Sequence, residues 1–365
     1  MLNNSFKFKV KYYILKLYNY LYKLKELYYL RSIKFSPFSS PGKVFIGFQN
    51  NKNSGGGLKL RDLKKFDSND NKYNVLYLLS SSLPESYGEM ITKARKANSK
   101  IIWNQNGIGF AAWAGPKYME LNESFKFGLE NADVVIFQSK FAQQSVDDLI
   151  TNTTKLNKMI IYNAIDTSVF KPDYISSGNS LRILVAGSHH NINRVVISIS
   201  IILLLRQAGV DCSLNIAGKI KGSSLNVVKA LIKQNHLLES VNFLGEYGRL
   251  EAPGIFSSSD ILLHLQPFDP CPTVVIEAMA SGLVVIGPNN GGIPELVGEE
   301  LSMQLVENFT NYSEYEWGKP EDYAKKINSL IPILDELKSK ARCRAVEHFD
   351  ITKWVNYHSH LFGHH

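Results

Sequence analysis

Residues 264–294, HLQPFDPCPTVVIEAMASGLVVIGPNNGGIP, predict a loop, a helix and a buried strand in succession. An apolar strand ends at this stretch, three prolines interrupt the loop, and a helix is expected from about Thr273. Units of this kind bind ligands at the carboxyl ends of their strands. Free amides at the start of the helix favour phosphate, and a carboxylate inside it can accept hydrogen bonds from two sugar hydroxyls.

Two acidic residues, Asp269 and Glu277, stand eight positions apart in this stretch, and Ala-Met-Ala-x-Gly and Gly-Gly-x-Pro-Glu follow. The pattern resembles the donor-site motif of glycosyltransferase family 4, a retaining family of group 1 glycosyl transferases with the GT-B fold. The family has Glu where this chain has Asp269. The resemblance implies that Glu277 binds the nucleotide ribose. It also implies that Asp269 orients the donor sugar, together with the backbone of Cys271, Pro272, Thr273 and Val274.

Length and composition favour two domains in a globular chain, because 365 residues exceed one typical core and 44% of them are hydrophobic. The three cysteines, Cys212, Cys271 and Cys343, are distant and odd in number, which favours reduced thiols and a cytoplasmic location. No secretory signal is visible. The longest apolar run, residues 195–205, is too short to span a bilayer.

Strand-like and helix-like segments alternate twice along the chain, which predicts an α/β protein with two parallel sheets. The first series begins with KVFIGF at residues 43–48, and the second begins with LRILVAG at residues 181–187. With the resemblance, this order implies a GT-B architecture of two Rossmann-like doubly wound domains facing a cleft. We expect an N-terminal acceptor-side domain at 41–172, completed by a C-terminal helix at 350–365 that crosses back, and a nucleotide-sugar-binding domain at 173–349.

Candidate acceptor-side residues follow the strands of the first series. Gly55, Gly56 and Gly57 lie at a predicted turn, where missing side chains let a ligand approach the backbone, and the family commonly has a Gly-rich loop there. Asn106 follows the strand KIIWNQ, where many family members carry His. No histidine precedes His189, so an imidazole base from the first half is excluded, while a retaining displacement assisted by the donor phosphate stays open.

Candidate donor-binding residues follow the strands of the second series. The family usually has Gly-Arg and then a second cation after the first of these strands, whereas this chain has Gly187 and Ser188. Arg194 is the candidate for the second cation, with His189 and His190 as helpers, and Gly245 ends a strand beside the expected nucleotide base. No Asp-x-Asp motif occurs, and the two adjacent histidines point apart, so no metal site and no cofactor are predicted.

These features together predict a retaining, metal-independent glycosyltransferase that moves a sugar from a nucleotide-sugar donor to a saccharide or lipid-linked saccharide. Two alternatives remain open. One is a catalytically weak scaffold that binds sugar nucleotides, favoured by Ser188 and Asp269 at positions where the family prefers Arg and Glu. The other is a GT-B epimerase, which needs acid and base groups flanking the sugar.

Residues 1–40 form a basic arm and linker. Residues 1–35 hold eight basic side chains and one acidic side chain, a net charge of 8 − 1 = +7, while the whole chain carries +8. The body therefore has a net charge of only +1 and no known nucleic-acid-binding motif, so a nucleic-acid partner is not expected. One apolar stripe recurs at three- and four-residue intervals in the arm: Val10, Ile14, Leu17, Leu21, Leu24 and Tyr28.

A basic amphipathic helix rich in Tyr fits an anionic membrane surface, which residues 7–34 would contact. The alternative is that this helix packs on the first domain or pairs with a second copy. The membrane interpretation predicts a peripheral location on the inner face of the cytoplasmic membrane. It would suit a polyprenyl-linked acceptor in surface polysaccharide or glycolipid synthesis.

Overall fold

The computed structural model describes residues 17, 20–21, 24–46, 55–68, 71–173, 180–307 and 311–364, apart from the side chains of residues 55–58. The described strands form two large parallel sheets and one short strand pair. Their bounds are β1 Lys34–Phe35, β2 Val44–Ile46, β3 Lys72–Tyr73, β4 Val75–Leu79, β5 Lys100–Gln105, β6 Val134–Phe137, β7 Lys158–Ile160, β8 Leu181–Ala186, β9 Cys212–Ala217, β10 Val241–Gly245, β11 Ile261–Leu263, β12 Val284–Pro288 and β13 Leu305–Val306.

Helices cover the faces of both sheets, as the alternating pattern predicts. The first, α1, is described over residues 24–32. The others are α2 Gly55–Leu63, α3 Tyr87–Lys96, α4 Ala111–Ala114, α5 Tyr118–Asn131, α6 Lys140–Leu149, α7 Asn193–Gln207, α8 Gly222–Gln234, α9 Ala252–Ser257, α10 Thr273–Ala280, α11 Ile293–Val297, α12 Pro320–Leu330, α13 Leu334–His348 and α14 Ile351–Leu361.

The N-terminal domain is built on the sheet β2-β4-β5-β6-β7. Its central strand β4 is apolar and buried at every position, as a strand covered on both faces must be. Because side chains alternate along a strand, Leu76 and Leu78 enter one core and Val75, Tyr77 and Leu79 enter the other. The predicted parallel sheet of this half is confirmed.

The C-terminal domain is built on the sheet β10-β9-β8-β11-β12-β13, whose pairs are all parallel. The strand order reverses at β8, where β9 lies on one side and β11 on the other. In open α/β sheets, ligands bind at the carboxyl ends of strands beside such a reversal. The fold therefore puts the ends of β8 and β11 at the expected ligand position.

Helix α14 crosses back to the N-terminal domain, as predicted. Trp354 and Phe362 are buried in the core beneath β2 and β4. The imidazole Nε2 of His358 lies 3.2 Å from the Tyr77 hydroxyl, and Lys100 Nζ donates to the Leu361 carbonyl at 2.6 Å. The end of the chain thus supports the first sheet.

Part of the arm also packs on the N-terminal domain. Leu30 and Ile33 are buried in its core, and Glu26 Oε2 accepts hydrogen bonds from the amide and hydroxyl of Ser86, each at 3.2 Å. The predicted apolar stripe faces away from this contact, because Leu17, Leu21, Leu24 and Tyr28 are exposed. Val10 and Ile14 of that stripe lie outside the described residues. Within the described part of the chain, no helix is long and apolar enough to cross a bilayer.

The expectation that Gly55, Gly56 and Gly57 lie at a turn is wrong. They form the first turn of α2, whose Leu60 and Leu63 are buried against the sheet. Glycine costs only about 1 kcal/mol relative to alanine in a helix, and packing of the following turns outweighs this preference. The triplet therefore contributes the amino end of a helix.

The two domains are joined by a carboxylate that caps a helix of the opposite domain. Glu295, in α11, accepts hydrogen bonds from the Lys140 amide at 2.7 Å and the Phe141 amide at 2.8 Å. These are free amides of the first turn of α6, where a negative charge is stabilised by the helix dipole. The Tyr162 hydroxyl donates to the same carboxylate at 3.0 Å. The cleft between the domains is therefore held at a defined width.

We predict that Gly128→Ala lowers the free energy of unfolding by about 1 to 3 kcal/mol, because its Cβ would overlap the buried indole of Trp103. Gly88→Ala is the matched control in helix α3, since the nearest atom to its Cβ would be 3.9 Å away. It should leave stability unchanged or raise it by up to about 1 kcal/mol. Urea unfolding followed by circular dichroism measures both, and equal stability of the two variants would contradict this packing.

Candidate active site

The donor loop, residues 264–272, connects β11 to α10 and lies at the mouth of the cleft. Its shape depends on the turn at Gly291 and Gly292. A Cβ on Gly291 would lie 2.7 Å from the Asp269 carbonyl, and one on Gly292 would overlap the Pro270 carbonyl. The Gly292 amide donates to the Asp269 carbonyl at 2.9 Å. Only glycine permits this approach, which explains the paired glycines of the sequence motif.

Asp269 lies at the edge of the cleft, with its side chain 28% exposed. Its Oδ2 is 3.6 Å from Nε2 of His264, just beyond hydrogen-bond distance. His264 is buried, and neither ring nitrogen has a hydrogen-bond partner among the described residues. Burial lowers the pKa of His264, although the Asp269 carboxylate opposes this shift. Burial therefore favours the neutral form of the imidazole beside this carboxylate.

Arg194 begins the first turn of α7 and points back beneath the loop after β8. Its Nη2 donates to the Ala186 carbonyl at 2.9 Å and its Nη1 to the Ser188 carbonyl at 3.2 Å. Its Nε has no partner in the part of the chain that the structure describes. Burial lowers the pKa of Arg194, and the charge of Asp269 opposes the effect. The guanidinium is thus a buried cation beneath the loop after β8, close enough to Asp269 for their charges to interact.

His189 is not placed to stabilise a diphosphate, which corrects the expectation from the sequence. It is buried, and its Nε2 lies 3.0 Å from the Ala217 carbonyl. Burial and the nearby Arg194 charge lower its pKa to about 4, so the ring is neutral at pH 7. His190 is exposed and lines the cleft. Of the two histidines, only His190 is available to a ligand in this conformation.

Gly187 and Gly245 both end strands of the second sheet. The Gly187 amide donates to the Ala217 carbonyl at 3.1 Å, and the Gly245 carbonyl accepts from Gly218 at 2.7 Å. Gly187 lies against the Arg194 guanidinium, whose nearest atom would be 3.9 Å from a Cβ there. Gly245 lies at the outer edge strand β10, away from the donor loop. The structure therefore brings Gly187 to Arg194 and leaves Gly245 at the periphery.

Glu277 lies in the second turn of α10 and is partly buried. Burial raises its pKa to about 7, against the opposing charge of Arg249. Its carboxylate also raises the pKa of Tyr247, where burial is the larger cause. Arg249 Nη1 lies 3.5 Å from Asp62 Oδ1 of the N-terminal domain. Glu277 and Asp269 therefore lie in different environments, so the two carboxylates can make different contacts with a ligand.

The segment around Cys271 is tied to the hinge between the domains. Asn163 Nδ2 donates to the Cys271 carbonyl at 2.6 Å, and the Asn163 amide donates to its Sγ at 3.3 Å. Burial raises the pKa of the Cys271 thiol to about 12, so the thiol is an inert packing group. Helix α10 begins at Thr273, and no side chain caps its amino end at Pro272. The amides of Thr273 and Val274 therefore remain the groups that can face a donor.

Lys59 is a site residue that the sequence did not single out. It is partly buried in α2, on the N-terminal side of the cleft. Burial lowers its pKa to about 8, and the nearby Cys271 and Asp269 oppose this shift. A second cation, from the other domain, thus approaches the donor loop. The sequence offers no signal for it, because α2 and the residues after it contain several similar lysines.

A cavity of about 960 Å³ extends from Asp269 and Ser188 into the N-terminal domain. Asn106 lies on its wall, but its side chain is engaged. Its Oδ1 accepts from the Ser80 hydroxyl at 2.7 Å and the Ser81 amide at 2.9 Å. Asn106 therefore shapes the wall. Among the described residues, no three His, Cys, Asp or Glu side chains are grouped to hold a metal ion.

Comparison with known proteins identifies the second half of the chain. Residues 176–344 match the family model "Glycosyl transferases group 1". N-acetyl-alpha-D-glucosaminyl L-malate synthase of Bacillus anthracis is 28% identical over 187 residues, 48% of this chain and 47% of that protein. A phosphatidylinositol N-acetylglucosaminyltransferase subunit of Arabidopsis thaliana is 21% identical over 250 residues, 67% and 52% respectively. The chain thus spans about half the length of these curated relatives.

Solved structures share this fold over most of the chain. Sucrose-phosphate synthase from Thermosynechococcus elongatus superposes with a TM-score of 0.65 at 17% identity, over 84% of this chain and 77% of that one. Anabaena Alr3699/HepE in complex with UDP gives 0.62 at 18% identity, over 79% and 78%. The predicted GT-B fold is therefore confirmed.

The raised pKa of Glu277 predicts how stability depends on pH. The folded state holds this proton up to about pH 7, while an unfolded chain releases it near 4.5. Stability is therefore lost as the pH rises from 4.5 to 7, by about 1.4 kcal/mol per unit at most. Glu277→Gln should remove this loss and be more stable than the parent at pH 8 by on the order of 2 kcal/mol. Urea unfolding at pH 5 and pH 8 tests this, with exposed Glu239→Gln as control, and parallel pH profiles for parent and variant would contradict it.

Proposed function

We propose that this chain, through its group 1 glycosyl transferase domain, moves a sugar from a nucleotide-sugar donor to a saccharide or lipid-linked saccharide, with retention of configuration. The observation that carries the proposal is the placement of Asp269 and Glu277 around the amino end of α10, beside a large interdomain cavity. One carboxylate faces a buried imidazole and the other has a pKa near 7. Such a difference suits two separate contacts with one ligand.

In this proposal Glu277 binds the two ribose hydroxyls and Asp269 orients the donor sugar. The diphosphate lies between the free amides of α10 and the Arg194 guanidinium, with Lys59 as a cation from the opposite domain. A buried cation stabilises a developing negative charge more strongly than one in water. Lys59 then takes the role of the arginine that the family has at the position of Ser188. Transfer in this site needs no metal ion.

The transfer itself exchanges one bond at the anomeric carbon. The bond to the diphosphate oxygen breaks as positive charge develops on the sugar ring. The acceptor hydroxyl oxygen attacks from the same face, and its proton passes to the departing diphosphate oxygen. The products are the glycoside and the nucleoside diphosphate. Burial favours the neutral form of His264, 3.6 Å from Asp269, and the Asp269 carboxylate is the group that would stabilise the ring during the step.

The arm supports a second part of the proposal, contact with an anionic membrane surface on the cytoplasmic side. The exposed side chains Leu17, Leu21, Leu24 and Tyr28 are turned away from the N-terminal domain, whereas Leu30 and Ile33 anchor the arm to it. Each nearby lysine adds about 1 kcal/mol of attraction to an anionic leaflet. An enzyme held there would meet lipid-linked acceptors of surface polysaccharide or glycolipid synthesis.

We expect Glu277→Gln to weaken nucleotide affinity by about 1 to 3 kcal/mol, because charge-assisted hydrogen bonds to the ribose are lost. Asp269→Asn should depress turnover more than nucleotide binding, because its contact is with the sugar. Isothermal titration with nucleoside diphosphates measures the first effect, and product formation from a panel of nucleotide sugars measures the second. Unchanged nucleotide affinity in the Glu277 variant would refute the ribose placement, and tight binding without product in the parent would favour the scaffold.

For the arm, we predict that Leu17→Ser, Leu21→Ser and Leu24→Ser together reduce co-sedimentation with phosphatidylserine vesicles at least tenfold. Removal of residues 1–40 is a poorer test, because it would strip Leu30 and Ile33 from the core. Tyr357→Ser, which changes an equally exposed side chain on α14, is the control. Binding of the parent should fall with salt, since exposed charges are then screened. Equal binding by parent and triple variant, or no binding by the parent, removes the membrane role.

A further inference from the structure

The acceptor half of the cavity has one aromatic wall drawn from both domains. Phe110 and Phe141 belong to the N-terminal domain, and Phe268 and Tyr315 belong to the C-terminal domain. The Phe110 ring lies 5.9 Å from the rings of both Phe268 and Tyr315, and Phe141 lies 5.3 Å from Phe268. Trp113 completes the wall at 6.5 Å from Phe110, with 60% of its surface exposed. A large indole is thus presented to the cavity.

This wall is held in position by contacts with Tyr312, which does not line the cavity. The Ala112 amide donates to the Tyr312 carbonyl at 3.0 Å. The Tyr312 hydroxyl donates to Asp148 Oδ2 at 3.0 Å and lies 3.2 Å from the Ser145 hydroxyl. The Tyr312 ring also packs 5.1 Å from Phe268. The platform is therefore preformed, which reduces the entropy lost when a ligand stacks on it.

The rest of the lining is either apolar, as at Ile108, Leu121 and Phe125, or polar, and it carries little charge. Hydroxyl and amide groups come from Ser80, Ser81, Asn106, Asn191 and Gln266. Among the described residues, no Lys or Arg lines this cavity, and Asp269 is its one charged carboxylate. Arg194 is engaged beneath the β8 loop, and Lys59 does not line the cavity. An anionic group entering here would lose its water and face Asp269, and among the described lining residues His190 is the one basic side chain that it could meet, which makes its entry costly.

Resting on the proposed function, we infer that the cavity binds the acceptor through a neutral sugar ring stacked on the Trp113 platform. The apolar face of the ring would pack on the aromatic wall, and its hydroxyls would bond the amide and hydroxyl groups. A few polar groups beside an aromatic surface are the usual composition of such pockets. Carboxylate and phosphate acceptors are disfavoured, and the diphosphate of a lipid-linked acceptor lies outside the cavity.

The binding experiment uses the full chain with UDP present. Neutral methyl glycosides are titrated beside the matching uronates, sugar 6-phosphates and L-malate, by calorimetry and by tryptophan fluorescence. At least one neutral glycoside should bind tenfold or more tightly than its anionic partner. Trp113→Ala should weaken it at least tenfold, while Tyr357→Ala, at 61% exposure on α14, leaves it unchanged. Tighter binding of an anionic partner, no glycoside binding, or an unaffected Trp113→Ala variant overturns the inference.

A charge-insertion variant tests the electrostatic argument directly. Ala112→Lys adds a flexible cation to the wall, and Ala112→Met adds similar bulk without charge. The lysine variant should raise the affinity for uronates relative to neutral glycosides at least fivefold over the methionine variant. The same ratio in both variants would overturn the charge argument. Failure of UDP binding or of all sugar transfer, with these glycoside preferences intact, would instead count against the proposed function.

Discussion

The geometry of this protein depends on the hydrogen bonds between Glu295 and the first amides of helix α6. Charge-assisted bonds of this type contribute about 1.5 to 3 kcal/mol each, and these two join residues 155 and 154 positions apart. They decide how the two sheets face one another. Phe141, whose amide is one donor, carries its ring on the cavity wall against Phe268. The contact that joins the domains therefore also positions part of the cavity wall.

The cleft has two electrostatically different ends. At one end, the donor end in our proposal, Arg194 and Lys59 approach the loop that carries Asp269, while burial lowers the pKa of His189 and of His264. At the acceptor end, aromatic rings and neutral polar groups dominate. A charged diphosphate would meet cations at the first end, and an uncharged sugar ring would meet aromatic and neutral polar groups at the second. This division fits the glycosyl transfer from a nucleotide sugar to a hydroxyl group that we propose.

Much of the fold was open to prediction because its signals are local. The alternation of apolar strands with helices predicts both parallel sheets, and the start of α10 at Thr273 follows from the prolines before it. Two predictions from local sequence are nevertheless wrong. Three consecutive glycines indicate a turn by their propensity, yet α2 begins there because Leu60 and Leu63 bury its following turns. The sequence predicts that His189 is available to bind a ligand, but in the structure its ring is buried against the Ala217 carbonyl.

The sequence by itself determined the order of elements, the two-domain division and the positions of Asp269 and Glu277, because periodicity and motif spacing are carried by neighbouring residues. Tertiary structure alone decided that His264 lies beneath Asp269, that Lys59 reaches across the cleft, and that the aromatic wall is assembled from both domains. These contacts join residues distant along the chain, and their chemistry depends on burial. Burial is a property of the packed molecule, and no short stretch of sequence encodes it.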